Sequence, residues 1–312
     1  GIYVATEDIF ITNGCMPALS LLIQQISQEG DSILIPTPTF NGQLQMLASL
    51  KRKIIEIPAD HHGIDLERLE FFMKQGDAKL CLLTANFQNP LGYCLSHSQK
   101  QKIAELAQQY QCFILEDDIY GECSFQKERP LPIRYWDQQG YVIWCGSVSK
   151  SLSTAYRVGW FCLGPQLQHL RPQLLSNNVG VNTPLQLGLA DFIYSRGYRE
   201  HLDELRPKLM QQVQQYRAYI LEVFGGIPIA LSQSEGGYAL WLQLPENITG
   251  LELYYLAQRQ GINIVPGEVF GEDQRYQHFI RLNAGHALTT EIRQAIQQLA
   301  DWVRERMSSV LN

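Results

Sequence analysis

An α/β architecture with a large lobe followed by a smaller α+β lobe is what this 312-residue sequence predicts. Three observations predict it. Short apolar runs alternate with helical patterns from Ile9 to Cys162. After Gly225-Gly226 the pattern shifts to an alternating strand, two short strands and two helices. Finally, the loop Ser147-Val148-Ser149-Lys150-Ser151 follows the apolar run Tyr141–Cys145 and Gly146. Lys150 thus stands just past a buried strand, at the open sheet edge where α/β proteins place their ligands.

Taken in order, Ile9–Thr12 reads as a strand and Asn13-Gly14 as the turn out of it. A helix follows from Met16, with Pro17 tolerated in its first turn. A strand, a glycine turn and a helix N-terminus make an anion site, through N–H groups near Gly14, Cys15 and Met16. Ser32–Ile35 is the second strand, ending at Pro36-Thr37-Pro38, with Phe40 at the start of the next helix. An aromatic there can lie flat on a planar ligand. Ile54–Pro58 and Leu80–Leu83 are strands separated by a helix from Leu66 to Met73. The second of these runs into Asn86-Phe87-Gln88-Asn89-Pro90-Leu91-Gly92, which restricts Asn89 at a strand exit and reverses at Gly92. Ser96 caps a helix through Tyr110.

The strand Cys112–Leu115 ends in Glu116-Asp117-Asp118-Ile119-Tyr120-Gly121-Glu122. Four acids there cannot all be buried unpaired; some are expected to face solvent and one to face a cation. Asp117 and Tyr120 can both be aimed at a single ligand. Val158–Cys162 is a further strand, and helices begin near Leu167, Pro184 and Tyr198. The last of these marks the expected lobe boundary, giving a large lobe at 1–200 and a small one at 201–312. In the small lobe Gly236–Leu244 reads as an alternating strand, Leu251–Gln260 as a helix, Ile262–Val265 and Phe279–Leu282 as strands, and Thr289–Met307 as a helix.

Composition narrows the function classes. A net charge of −6 argues against this chain gripping nucleic acid by itself. No apolar run reaches the roughly 18 residues that span a bilayer, and no cleavable signal opens the chain. The seven cysteines form no C-x-x-C pair, and Cys81, Cys112, Cys145 and Cys162 sit in or beside strand-like runs. They read as reduced structural thiols of a cytoplasmic protein, and His61-His62 as a turn rather than a metal site. A start at Gly1 without methionine, a few residues before a strand, reads as a fragment or processed chain. No G-x-G-x-x-G follows a strand, Lys150-Ser151 lacks the glycines of a Walker loop, and no Ser/His/Asp arrangement is recognisable.

Together and in this order, the motifs resemble the fold-type I pyridoxal phosphate (PLP) enzymes of the class I aminotransferase group. Thr12-Asn13-Gly14-Cys15-Met16, Asn86–Gly92, Glu116–Glu122 and Arg157-Val158-Gly159-Trp160 are similar to the aminotransferase-like domain of MocR-type regulators of the GntR family. The resemblance implies a mostly parallel central sheet with helices on both faces. It implies Lys150 as the Schiff-base lysine and Asp117 as the partner of the pyridine nitrogen. Asn89 and Tyr120 would bond the phenolic oxygen of the ring, and Phe40 would stack on it. The N–H groups of Gly14, Cys15 and Met16, the hydroxyls of Ser147 and Ser149, and Arg157 would hold the phosphate. Arg281 would take the substrate α-carboxylate. In this sequence Ser153-Thr154-Ala155 replaces the Ala-Pro-Gly-like loop usual between the lysine and the arginine.

Two functions follow from the resemblance. One is the effector domain of a transcriptional regulator, sensing an amino acid or amine through an external aldimine, with DNA contacted only through an upstream winged-helix domain. The other is a free-standing aminotransferase acting between an amino acid and a 2-oxo acid. Either way the resemblance implies a homodimer with the site at its interface.

Overall fold

The computed structural model of the chain describes residues 2–76, 78–178 and 181–310. The apolar runs of the first half become β1 (Ile9–Thr12), β2 (Ser32–Thr37), β3 (Lys53–Asp60), β4 (Gly63–Ile64), β5 (Ala78–Leu83), β6 (Phe113–Asp117), β7 (Val142–Ser147) and β8 (Gly159–Cys162). They form one sheet in the order β1-β8-β7-β6-β5-β2-β3-β4. The pairs β3–β2, β2–β5, β5–β6 and β6–β7 are parallel, while β8 runs antiparallel to both β7 and β1. The carboxyl ends of β1, β2, β5, β6 and β7 therefore open on one edge, together with the start of β8.

Helices α1 (Cys15–Ile26), α2 (Asn41–Ser49), α3 (Leu66–Gln75) and α4 (His97–Gln109) connect these strands. The strand sequences dictate the layering. Ile33, Ile35, Leu80 and Leu82 point to one face, where they meet Ala18, Leu19, Leu22 and Ile23 of α1 and Leu47 of α2. Their neighbours Leu34, Cys81 and Leu83 point to the other, against Leu69 and Met73 of α3 and Ile103 and Leu106 of α4. Burial on both faces is why these strands are apolar without interruption. Each such leucine or isoleucine contributes about 1.5–3 kcal/mol on leaving water. Local signals fix the helix ends: Ser96 and Gln99 form a reciprocal capping box at α4, and Asp65 caps α3, which ends at a left-handed Gly76.

After α5 (Arg171–Asn177) and α6 (Thr183–Tyr194), the long α7 (Gly197–Val223) leads into a second, antiparallel sheet. It comprises β9 (Ala230–Leu231), β10 (Ala239–Gln243), β11 (Val265–Pro266) and β12 (Phe279–Asn283) in the order β11-β12-β10-β9. With α8 (Gly250–Arg259) and α9 (Thr290–Val310), α7 covers one face, burying Val213, Ile220, Leu253, Leu299 and Val303 against Leu240, Leu242, Ile280 and Leu282. Two expectations need correction. The alternating strand is in fact buried on both sides in its middle, because Trp241 packs on Phe270 and Phe279 with ring centroids 5.0 and 5.1 Å apart. The strand expected at Ile262–Val265 reduces to Val265–Pro266, since only these residues pair with β12. Among the described residues, no helix is long and apolar enough to cross a membrane.

Candidate active site at the carboxyl edge of the large sheet

Topology gathers most of the predicted residues at that edge. Phe40 follows β2, Asn89 follows β5, Asp117 ends β6, Tyr120 stands just beyond it, and Lys150 follows β7. With Met16, Gln43, Thr84, Ile119 and Arg281 they line one cleft of about 490 Å³ including its open mouth. Lys150 and Asp117 line the same cleft, because β6 and β7 are adjacent parallel strands whose carboxyl ends open on one edge.

Asp117 is buried and held on both oxygens. Its Oδ2 accepts from Gln43 Nε2 at 2.8 Å, and its Oδ1 accepts from the Cys15 thiol at 3.2 Å and from Ile119 N–H at 3.3 Å. Burial raises its pKa, opposed by those three donors. Lys150 is half-buried, with Nζ 5.7 Å from the centre of the Tyr120 ring. Burial, and then the Arg281 guanidinium, hold its ammonium below the ordinary lysine range. Tyr120 meets Tyr238, the residue just before β10, edge-on with centroids 5.4 Å apart, and burial pushes its phenol upward. Arg281 leans over the same cleft from β12; its Nε has no hydrogen-bond partner among the described residues.

The turn expected to hold an anion is built by close backbone approach. Gly14 has φ +108° at the N-cap of α1, and a Cβ there would stand 2.7 Å from Arg157 Nη2. Arg157 Nη2 donates to the Asn13 carbonyl at 2.5 Å, so the guanidinium lies beside the helix N-terminus with its first-turn N–H groups. The hydroxyl expectation changes here. Ser147 donates its proton to the Val158 carbonyl at 2.8 Å and accepts from Ser149 N–H at 3.1 Å. It braces the loop, and the Ser149 hydroxyl lies 2.8 Å from it.

The acidic segment also differs from expectation, since Glu116, Asp117 and Asp118 are all buried and Glu122 half-buried. Each is paired instead of solvated. Glu116 accepts from Ile133 and Arg134 N–H, Asp118 from Asn86, Arg129 and Trp144, and Glu122 from Arg129 and Arg206. Gln43 was not anticipated, because a lone helical glutamine carries no local signal; its standing just past an aromatic at a strand exit is the only clue.

An amine facing a buried carboxylate, beside a helix N-terminus with an arginine, on a mostly parallel sheet, defines the class. This chain belongs to the aminotransferase class I and II family, whose match covers residues 2–299. Among similar proteins is the uncharacterized HTH-type transcriptional regulator YdcR of Escherichia coli, 33% identical over 308 residues, a match covering 98% of this chain and 66% of that protein. The chain thus spans just under two thirds of that relative's length. It is also similar to aromatic-amino-acid aminotransferase 1 of Thermococcus litoralis, 30% identical over 97% of this chain and 74% of that one. Pyrococcus horikoshii kynurenine aminotransferase, solved in complex with PMP, superposes with a TM-score of 0.86 at 27% identity, over 97% of this chain and 76% of that one.

Pyridoxal phosphate is the cofactor that this family implies, and the residues present fit it. Two polar atoms of the cleft, Asn89 Oδ1 and Arg281 Nε, are buried without partners among the described residues. Buried polar atoms normally find partners, so the pair marks a space shaped for polar ligand atoms.

Proposed function

We propose that this cleft binds pyridoxal phosphate at Lys150 and an amino acid or amine beside it, and that the chain is the effector domain of a GntR/MocR-type transcriptional regulator. The observation that carries the ligand reading is the meeting of Lys150, Asp117 and Arg281 in one cleft. When bound, the cofactor supplies an aldehyde that condenses with amines and a ring that accepts electrons. Lys150 Nζ, its ammonium destabilised by burial and Arg281, is the nucleophile and the carrier of the substrate α-proton. Asp117 offers a fixed negative charge to the ring nitrogen. Asn89 and Tyr120 face the phenolic oxygen, and Phe40 covers the ring. The first-turn N–H groups from Gly14 to Met16, with Ser149 and Arg157, bind the phosphate, and Arg281 takes the α-carboxylate. A second copy of the chain completes a homodimer.

The regulator setting is supported by the resemblance to YdcR. The free-standing aminotransferase is the second reading, favoured by the comparable identity to the Thermococcus litoralis enzyme. Borohydride reduction of the PLP-loaded protein, then peptide mapping, should place the cofactor mass on Lys150, and Lys150→Ala should lose it; labelling elsewhere would end the reading. Product formed in excess over protein from an amino acid and a 2-oxo acid would favour the enzyme. Ligand-dependent DNA affinity of the full-length protein, without turnover, would favour the regulator.

A further inference from the structure

Lys150 is gripped from behind. The next residue, Ser151, is buried, and its hydroxyl lies 2.6 Å from that of Tyr198. Burial pushes the Tyr198 phenol up to about 12, so it keeps a proton to share. The Ser151 carbonyl accepts from His201 Nε2 at 2.7 Å. Both partners stand in the first turns of α7, and the same helix continues to touch the site. Arg206 donates to the Glu122 carbonyl at 3.1 Å and to its carboxylate at 2.8 Å, just past Tyr120. Gln212 donates to the Ala284 carbonyl at 2.6 Å, just past Arg281.

At about 100° per residue, positions 198, 201, 206 and 212 fall on one side of a helix. That is the side whose residues Leu209, Val213, Tyr216 and Ile220 enter the core of the second sheet. Polar side chains in a buried stripe are costly unless paired, and here three of them end on backbone carbonyls of the three segments that carry Lys150, Tyr120 and Arg281.

We propose that α7 is a positioning spine: Tyr198 and His201 fix the backbone that carries Lys150, while Arg206 and Gln212 hold the Tyr120 segment and the Arg281 strand in register with it. None of the four is a catalytic residue. The inference rests on the reading of Lys150 as the reactive amine. Around that amine stand the Tyr120 ring, Arg281, Cys123 and Asp117. Burial and Arg281 push its proton affinity down, and Cys123 and Asp117 pull the other way. Releasing Ser151 lets the loop swing toward water, which restores the ordinary titration of a lysine.

The test uses cofactor-free protein, labelled with acetic anhydride across a pH series and read at Lys150 by mass spectrometry. In Tyr198→Phe/His201→Ala the labelling midpoint should rise by about half a pH unit or more. His201→Gln keeps a donor at similar reach and should restore the wild-type midpoint when combined with Tyr198. Should the double variant not fold, Tyr198→Phe alone, which keeps the ring in place, should show the rise in smaller measure. Midpoints indistinguishable from wild type in folded variants overturn the spine. Absence of borohydride-trapped PLP on wild-type Lys150 overturns the site reading beneath it, whereas trapping with unmoved midpoints overturns the spine alone.

Discussion

Replacing Gly159 with alanine probes whether the anion end of the cleft depends on β8 pressing against the turn before α1. A methyl at this position would stand 2.5 Å from the Gly14 carbonyl carbon, 2.7 Å from its Cα and 2.9 Å from Cys15 N. These are backbone atoms tied into β1 and α1, so none can rotate aside as a side-chain tip would. Carbon contacts are comfortable only from about 3.5 Å, so strand and turn must separate by on the order of 1 Å. Overpacking of this kind costs about 1–3 kcal/mol. The melting temperature of the cofactor-free protein should fall by roughly 2–10 °C. Because the N–H groups of Cys15 and Met16 move with the turn, the PLP dissociation constant should rise about tenfold or more. Thermal denaturation and an absorbance titration with PLP measure the two effects. Gly188→Ala is the control: its methyl meets nothing within 4 Å, and its helix should melt no lower than wild type. Unchanged PLP affinity in Gly159→Ala would refute the placement of the phosphate, and an unchanged melting temperature would refute the packing argument.

Other outcomes follow from the same geometry. Burial raises the Asp117 pKa above its unfolded value, so the stability this group contributes is full below the unfolded pKa and lost as pH rises through the folded one. Asp117→Asn should therefore flatten the decline in melting temperature of the cofactor-free protein as pH rises above the ordinary carboxylate range, while weakening PLP retention. Arg281→Lys should weaken α-amino acids by roughly tenfold to a hundredfold and leave amines without a carboxylate unchanged in a spectral titration. Lys100 is fully buried, donating from Nζ to Asn86 Oδ1 at 2.6 Å and to the Leu131 carbonyl at 2.8 Å. Lys100→Met should cost about 3 kcal/mol or more in denaturant unfolding, by stranding those acceptors near Glu116 and Asp118.

Much of this site was legible because sheet chemistry is local. A buried strand and the loop after it are contiguous in sequence, so Asn89, Asp117 and Lys150 each announced themselves behind an apolar run. The Ser96 cap was legible for the same reason. Partners distant in sequence were not. Nothing near Asp117 names Gln43, and nothing near Asp118 reveals that Asn86, Arg129 and Trp144 donate to it, so the local pattern places some of the acids in water. Trp241 misled in the same way: its second face is covered by Phe270, which arrives from a later loop. Ser147 and Ser149 looked equivalent as hydroxyls, and only the antiparallel return of β8 commits one of them to Val158.

The clasp on Asp117 has a consequence for how the site can diverge. With one oxygen fixed by Gln43 and the other by Cys15 and Ile119, that side chain surrendered its torsional freedom when the chain folded. An arriving ring need not order it again. Exchanging Gln43 or Cys15 for a weaker donor therefore offers a way to retune the basicity of the acid, and with it the electron demand on any bound heterocycle, while the acid itself stays untouched.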